Sequence, residues 1–342
     1  MNWKIYPAGE FETHQHHWRS INDQGLKSPL LDVDFVLPLL REFATGSEVL
    51  ACYEDDGRIQ AMGIFVQNRR GAWETFQPSQ APIGLWTCLP SQGFGRLLPE
   101  LIKRLPGFSM MVGILQQDPA LIPRPENHAA VSTLDYISTA RIALEGSFDE
   151  YWNARGKNLR QNMKKQRNKL EKEGITLHLD VCTAPEDVAD ALGEYGRLES
   201  AGWKAKLGTA IHPENAQGRF YRSMLESFCS RGAGRIYRYR YNDKVVAMDL
   251  CIENGNHIVI LKTTYDEAIN DGTSPAFLLR QEQTKALFDE GRLKGIEFYG
   301  KVMDWHLKWT DDVRHLYHVN AYRFSFLSRV HGAMKKTAAS TG

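Results

Sequence analysis

The sequence places a carboxylate inside an otherwise apolar strand pattern. Asp249 stands in the run VVAMDLC, and side-chain alternation along a strand puts it on the face shared by Val245, Ala247 and Cys251. A charge on such a face is costly unless it is paired, and carboxylates in such settings are frequent in sites that transfer protons. Asp249 is therefore a candidate catalytic residue, with a purely structural ion pair to Lys262 of the next predicted strand as the alternative.

Three further acid–base groups stand at the ends of predicted elements. Glu199 ends a largely apolar helix, where it could act as a base, bind a substrate ammonium or be an ordinary surface carboxylate. Tyr265 and Asp266 end a predicted strand, at the position where a substrate cleft would open. The Tyr265 hydroxyl could protonate a leaving group there.

A second polar pair comes later in the chain. Glu297 and Tyr299 alternate with Ile296 and Phe298, so both are expected to point away from the core face of a short strand. We expect these two side chains to reach the same cleft as Tyr265.

Other kinds of catalytic site find little support in the sequence. There is no G-x-S-x-G nucleophile motif, and the five cysteines are scattered without a C-x-x-C pair. The histidines near the start, in ETHQHHW, suit the exposed side of a helix better than a metal site. No metal and no bound cofactor is expected, and the cysteines are predicted to be buried, reduced thiols.

The stretch that concentrates positive charge is YWNARGKNLRQNMKKQRNKLEKEG, which holds eight Lys or Arg. Trp152, Leu159, Met163 and Leu170 recur at helical spacing and predict one apolar face on a single helix from Tyr151 to Gly174. The basic face has three interpretations: a solvated surface, a binding surface for a phosphate-bearing or polyanionic ligand, or a calmodulin-like or membrane helix.

Size and composition describe an ordinary globular chain. The 342 residues exceed one average domain, with 42% hydrophobic and 24% charged residues and a net charge of +1. No apolar run approaches the roughly 18 residues that span a bilayer, and the N-terminus lacks the pattern of a secretion signal. We expect a cytoplasmic protein with no membrane span.

The elements that must position these residues alternate between strands and helices. In the first half, a hairpin is predicted around Asp55-Asp56-Gly57. In the second half, three strands, 234–241, 244–252 and 257–265, form an antiparallel meander, and Ser274-Pro275 opens a helix. Short strands at 296–299 and 319–326 follow. The order predicts an α+β fold with two layered domains.

Several ordered segments resemble one family. They are SFDEYWNARGKNLRQNMKKQRNKLEKEG, LESAGWKAKLG, VVAMDLCIENGNHIVILKTTYDE, SPAFLLRQEQTKALFDEG and IEFYGKVMDWHLKWTD. In order and spacing they are similar to the CelD-type branch of the GNAT acyltransferase superfamily, which is related to the Fem-type aminoacyl transferases. The resemblance covers roughly residues 145–325.

The resemblance implies tandem GNAT-like domains, each with a mostly antiparallel mixed sheet flanked by helices. It places a degenerate domain at 1–140, an acyltransferase domain at 141–330 and a basic tail at 331–342. It also implies transfer of an acyl group to an amine. The donor is usually acyl-CoA in GNAT enzymes and aminoacyl-tRNA in the Fem-type relatives.

The chain departs from the GNAT pattern at the phosphate loop. The segment DEAINDGTSPA at 266–276 has a single glycine, although a pyrophosphate could still meet backbone N–H groups at the start of the following helix. The resemblance thus makes Ser274, Ala276, Phe277 and Lys308 the candidate donor-binding residues. The weaker alternative is the run SQGFGR at 91–96, which precedes a helix in the first domain.

The expected function is N-acyl transfer from acyl-CoA to an amine of a small molecule or sugar precursor. Glu199, Asp249, Tyr265 and Tyr299 are the predicted catalytic residues. The predicted substrate-binding residues are Trp203, Lys204, Asp266 and Glu297, although Trp203, like Trp309, suits a hydrophobic core equally well. Two alternatives stay open: a Fem-like aminoacyl transferase that uses tRNA, and a catalytically silent binding protein of a polysaccharide pathway. The sequence makes no prediction of oligomeric state.

Overall fold

The computed structural model describes residues 2–128, 130–201 and 210–327. The chain divides into two compact units: unit 1 comprises Met1–Ser138 with Arg314–Gly342, and unit 2 comprises Thr139–Val313. The predicted second domain, 141–330, therefore differs from unit 2 at its C-terminal limit. Trp203 and Lys204 lie outside the described residues.

Unit 1 contains a mixed, mostly antiparallel sheet with helices. Its helices are α1 (Phe11–Gln24), α2 (Val33–Phe43) and α3 (Phe94–Arg104). Its strands are β1 (Asn2–Pro7), β2 (Val49–Asp55), β3 (Arg58–Arg69), β4 (Ala72–Thr75), β5 (Trp86–Cys88), β6 (Met111–Gln117), the first part of β7 (Val131–Ala143) and nearly all of β13 (Val313–Tyr322). The order runs β1-β2-β3-β4-β6-β13, with β5 paired to β3 and a parallel pair between β4 and β6.

The first hairpin forms as predicted. β2 and β3 pair with Asp55 opposite Arg58, and the two turn residues, Asp56 and Gly57, both have positive φ, 49° and 72°. Asp-Gly suits this conformation because neither residue carries a branched Cβ.

Unit 2 is a single continuous segment. Its helices are α4 (Phe148–Ala154), α5 (Lys157–Lys172), α6 (Val188–Ala201), α7 (Ala216–Ser230) and α8 (Pro275–Glu290). Its strands are the end of β7, β8 (Leu177–Cys182), β9 (Gly234–Tyr241), β10 (Lys244–Glu253), β11 (His257–Tyr265) and β12 (Gly295–Glu297). They lie in the order β7-β12-β11-β10-β9-β8, and β11 pairs with β12 in parallel. The predicted meander is β9-β10-β11, with bounds within one residue of those expected.

The prediction of one basic helix from Tyr151 to Gly174 is wrong. Two helices, α4 and α5, form instead, because Arg155 and Gly156 take extended backbone angles between them. Ser147 and Glu150 form a capping box at the start of α4, which fixes its first turn. Gly156 is the N-cap of α5 and offers no side chain to the first N–H groups.

The predicted fold class is confirmed. Each unit has a mixed sheet of mostly antiparallel strands with helices packed on it, and each has its own apolar core. Across the described part of the chain, no helix is long and apolar enough to cross a membrane. All five cysteines are buried free thiols.

Candidate active site

A cleft of about 700 Å³ opens in unit 2 where the starts of two helices meet. Its walls come from the α4–α5 connection, one side of α5, the first turn of α8 and a short turn after β12. The lining residues include Gly156, Asn158, Leu159, Asn162, Met163, Gln166, Ser274, Phe277, Leu307, Lys308 and Asp311. The lining mixes apolar and amide side chains with two cations, Arg155 and Lys308, and one carboxylate, Asp311, which lies 3.5 Å from Arg155. This mixture suits a ligand that has both an apolar part and an anionic part.

Three of the four predicted donor-binding residues lie on this cleft. Ser274, Phe277 and Lys308 line it, and the Lys308 ammonium lies 5.3 Å from the centre of the Phe277 ring. That ring packs in turn on Trp309, which is fully buried and thus a core residue. Ala276 lies half-buried in the same first turn of α8.

The N-termini of α5 and α8 both face the cleft. The first N–H groups of any helix lack partners within the helix and carry a partial positive charge. The N-caps Gly156 and Ser274 make no side-chain capping bond, so no cap side chain satisfies these groups. An anion in the cleft would therefore be stabilised from two directions.

At the start of α8, however, most backbone N–H groups already donate to acceptors within the chain. The Ser274 N–H donates to Gln166 Oε1 at 2.7 Å, and the Phe277 N–H donates to the Ser274 carbonyl at 3.1 Å. Pro275 has no N–H to offer. The N–H of Ala276 is what remains in the first turn of α8, so this turn can hold one oxygen rather than a whole pyrophosphate.

The loop that precedes α8 is also closed upon itself. The Asp271 carboxylate accepts bonds from the Thr273 N–H at 2.9 Å and hydroxyl at 2.7 Å, and it lies 3.1 Å from the Lys169 ammonium. These bonds, that of the Thr273 hydroxyl above all, lower the pKa of Asp271 to about 2. A negative charge thus stands where the GNAT pattern has spaced glycines, which agrees with the departure seen in the sequence.

Asp249 belongs to a buried charge cluster. Its Oδ2 lies 2.9 Å from Nη1 of Arg280, an ionic contact without the alignment of a hydrogen bond, and the Thr263 hydroxyl donates to Oδ1 at 2.5 Å. Asp249 and Arg280 are 0% and 3% exposed. The predicted partner, Lys262, is wrong. Asp249 lies opposite Thr263 in the β10–β11 ladder, so Lys262 points to the other face of the sheet.

Lys262 instead pairs with Glu199. Its Nζ lies 3.0 Å from Glu199 Oε1, and Glu199 Oε2 accepts the Ile211 N–H at 2.8 Å. The ammonium also lies 5.9 Å from the ring centre of Tyr195 and 5.6 Å from that of Tyr221. Burial, with the Glu199 charge as a further cause, raises the pKa of both phenols, so both stay neutral. Glu199 is buried, so it is not the surface carboxylate that one interpretation of the sequence allowed.

The remaining predicted residues are spread over the strand ends. Tyr265 is 44% exposed at the end of β11, and Asp266 pairs with Lys244 at 2.6 Å, a bond that lowers the Asp266 pKa. Glu297 and Tyr299 are both buried, and Tyr299 has a left-handed φ of 51°. None of Tyr265, Glu297 and Tyr299 is among the residues that line the cleft.

The structure therefore assembles the donor-binding candidates but not the catalytic ones. The ion pairs of Asp249 and Glu199 lie on opposite faces of the β10–β11 ladder. The catalytic roles of both residues stay predictions, as do those of Tyr265 and Tyr299. Sequence reasoning missed Gln166 and Arg280. Gln166 carries a visible signal, because it occupies the apolar helical period of Leu159, Met163 and Leu170.

Comparison with known proteins defines the class. Residues 157–307 match the model of a family described as "Acetyltransferase (GNAT) domain". The match includes both helices that open on the cleft and the whole meander. The predicted resemblance to the GNAT superfamily is thus confirmed over this segment. No curated protein matches the chain significantly.

Solved structures show the same fold at low identity. The C-terminal domain of an Agrobacterium fabrum protein, provisionally assigned as a lysylphosphatidylglycerol synthetase, is 14% identical over 89% of this chain and 91% of its own, with a TM-score of 0.57. FemX is 9% identical over 96% and 99%, with a TM-score of 0.55. A protein of unknown function from Bacteroides thetaiotaomicron VPI-5482 is 10% identical over 94% and 98%, with a TM-score of 0.54. At these identities the likeness concerns the fold alone.

Proposed function

We propose that the protein is an N-acyltransferase that moves an acyl group from a phosphopantetheine thioester, of which acyl-CoA is the simplest, to an amine. The observation that carries the proposal is the position of the cleft: both helices whose N-termini face it, α5 and α8, lie inside the segment matched to the acetyltransferase domain.

The cleft provides different surroundings for the two ends of such a donor. A phosphate would lie near the N-termini of α5 and α8 and the Lys308 ammonium, where the positive charge is. The uncharged arm would follow the apolar side chains of Phe277, Leu159 and Met163. Fixing the donor in this way leaves the acceptor amine to attack a carbonyl that is already oriented.

The reaction itself needs one proton to move. The amine nitrogen bonds to the thioester carbonyl carbon, the carbon–sulfur bond breaks, and the amine proton passes to the departing thiolate. Tyr265, exposed at the end of β11 but not among the residues that line the cleft, stays the predicted acid for that thiolate. Glu199 and Asp249 are both ion-paired and buried, so we assign them the positioning of Lys262 and Arg280 in place of direct proton transfer.

The test is a thiol-release assay with acetyl-CoA and a panel of amines, with the acylated product identified by mass spectrometry. We expect Phe277→Ala and Lys308→Ala to raise the KM for the donor roughly tenfold, because each removes one contact worth about 1.4 kcal/mol. Lys285→Ala, on the exposed side of α8, is the matched control and should leave the KM unchanged. If acetyl-CoA and longer acyl-CoA thioesters neither bind nor react, the proposal fails and a silent binding protein becomes the better description.

A further inference from the structure

The eight basic residues of the 151–174 stretch fall into two sets. Four of them are held by contacts within the unit. Arg155 donates to the Trp309 carbonyl, Arg160 to the Arg155 carbonyl, Arg167 to Gln281 and Glu282, and Lys169 to Asp271. These four are half-buried and serve the packing of α4 and α5 against the unit.

The other four form what we call the lysine stripe: Lys157, Lys164, Lys165 and Lys172. All four are exposed, and none forms an ion pair with any residue that the structure describes. At 100° per residue they fall within an arc of about 100°, and from first to last they span about 22 Å along α5. Gln161 and Asn168 fill the same arc, and Glu171 lies at its edge.

The lysine stripe lies next to the cleft on the same helix. Leu159, Met163 and Gln166 face the cleft and the core, and Asn158 and Asn162 lie between that side and the stripe. A partner lying along the stripe would therefore hold any group that it carries at the edge of the cleft. Lys164 lies one helical turn from Arg160, and Lys165 lies one turn from Lys169. Like charges at that spacing cost stability, so a role in binding explains the exposed lysines better than a role in folding.

We propose that the acyl group is delivered by an acidic carrier protein whose negatively charged helix docks on the lysine stripe while its phosphopantetheine arm enters the cleft. This rests on the proposed acyl transfer. The arm joins its carrier protein through one phosphodiester, whereas CoA carries a pyrophosphate and a further phosphate. One phosphate fits the start of α8, because the N–H groups of Ser274 and Phe277 already donate to acceptors within the chain.

The chemistry of the stripe favours a protein over a nucleic acid. Single-stranded RNA is held by aromatic stacking and by arginine as well as by charge, and the stripe contains lysines and amides alone. The net charge of the chain is +1, far from the strongly basic balance of a general nucleic-acid binder. A helix of about 15 residues on the partner would match the 22 Å of the stripe.

The same bonds form and break as in the proposed acyl transfer. The acceptor nitrogen bonds to the carbonyl carbon, the bond from that carbon to the arm's sulfur breaks, and the amine proton ends on the sulfur. The products are an amide and a carrier protein with a free thiol arm. No oxidant or further reactant is needed.

The experiment compares two donors on two variants. The donors are acetyl-CoA and the acyl carrier protein of fatty-acid synthesis charged with an acetyl group. In the test variant all four stripe lysines become glutamine. In the control variant three basic residues at exposed ion pairs elsewhere, Lys103, Arg222 and Lys285, become glutamine. All seven positions are on the surface, so both variants are expected to fold.

We expect the stripe variant to lose at least tenfold in kcat/KM with the charged carrier protein at low salt and less than twofold with acetyl-CoA, with a flatter salt dependence in the first case. The control should match the wild type with both donors. Equal losses with both donors would mean that the stripe merely attracts phosphate, and would overturn the docking proposal. The docking proposal would also be overturned, in favour of RNA, if the wild type showed a ribonuclease-sensitive activity with aminoacyl-tRNA that the stripe variant lost.

Binding is measured separately, so that the two proposals fail separately. Titration of the unacylated carrier protein, with its arm attached, into the wild type and the stripe variant needs no turnover. Salt-sensitive binding that the stripe variant loses supports docking even if no amine is acylated. Equal or absent binding in both proteins overturns docking and leaves acyl transfer from acyl-CoA standing.

Discussion

Asp249 and Arg280 show how a single buried charge pair is maintained. Both side chains are shielded from water, and Thr263 and Gln283 supply further polar contacts around them. Attraction inside a protein only about offsets the loss of hydration when both charges are present, whereas one charge left alone is strongly unfavourable. The intact pair therefore adds little to stability, although the loss of either partner would be destabilising.

Removal of one partner of the Asp249–Arg280 pair should destabilise the protein. We expect Arg280→Met to lower the free energy of unfolding by about 3–5 kcal/mol, because it leaves the Asp249 carboxylate buried and uncompensated. The double variant Asp249→Leu with Arg280→Met should recover a good part of that loss. Lys285→Met, which breaks an exposed pair on the same helix, should cost less than about 1 kcal/mol. Urea denaturation gives all three values, and a double variant as unstable as the single one would contradict the expected role of the Asp249 charge.

His306 should make the free energy of unfolding depend on pH in the mildly acidic range. Burial, with the nearby Arg280 charge as a further cause, lowers its pKa from 6.5 to about 4. The unfolded chain therefore binds the proton more readily than the folded one between these values. The stabilisation is present above pH 6.5 and is lost as the pH falls from 6.5 towards 4.

The measurement is urea denaturation of the wild type and of His306→Asn at pH 7 and pH 5. Asparagine Oδ1 is as many bonds from Cβ as His306 Nδ1, which accepts the Met303 N–H at 3.0 Å, so the variant can keep that bond. We expect the difference in unfolding free energy between the two pH values to be smaller in the variant. A difference of the same size in both proteins would place the titrating group elsewhere.

Residue types and their spacing predict some of these side-chain positions. The exposed lysines and the apolar positions Leu159, Met163 and Leu170 are evident from periodicity, and the structure places them as expected. The partner of Asp249 was not evident, because it depends on which turn of α8 crosses β10. Strand register, which decides that Lys262 faces away from Asp249, is likewise set by tertiary pairing.

At the scale of elements, the cleft depends on how α5 and α8 are held together. Gln166, 6% exposed, accepts the Ser274 N–H and so joins the middle of α5 to the start of α8. Lys169 adds a second link to the loop before α8 through Asp271. These bonds explain why a polar residue occupies an apolar position of α5.

Gln166→Leu should weaken this junction. The Ser274 N–H would lose its acceptor, which we expect to lower the free energy of unfolding by about 1–3 kcal/mol and to raise the KM for the donor more than it lowers kcat. Gln161→Leu, on the exposed side of the same helix, is the matched control. Urea denaturation and donor kinetics measure the two effects. An unchanged donor KM in a destabilised Gln166→Leu variant would show that the bond serves folding alone.

The elements themselves were largely predictable. The meander, the Asp-Gly hairpin and the Ser274-Pro275 helix start follow from local rules on turns and caps. The break at Gly156 was missed, because a glycine inside a helical pattern signals a break only when tertiary contacts favour one. β1 and the three-residue β5 were also missed, since their pairing depends on neighbours distant in sequence.

At the scale of the whole molecule, the two units differ in how the chain builds them. Unit 2 is continuous, whereas unit 1 combines the first 138 residues with the segment from 314 onward. β13 brings Tyr317, Val319 and Ala321 into the core of unit 1. The Arg314 guanidinium also lies 2.6 Å from the buried Asp118 carboxylate.

A chain that ends at Val313 should therefore lose unit 1 selectively. We expect limited proteolysis to cleave within residues 1–138, because the unit lacks β13 and the Asp118 charge is left buried without Arg314. Residues 139–313 should stay resistant. A chain that ends at Leu327 retains β13 and serves as the control. Equal resistance of residues 1–138 in both truncated chains would show that β13 is dispensable for unit 1.

The discontinuity of unit 1 also bears on the order of events during synthesis. All of unit 2, residues 139–313, is translated between the first 138 residues and β13, so those 138 residues leave the ribosome long before their last strand is available. The edge of β6 that later pairs with β13 stays open for that time, and an unpaired strand edge is a site of wrong association. Slow translation between residues 139 and 313 would lengthen this exposure, and chaperones that cover strand edges would protect the growing chain during it.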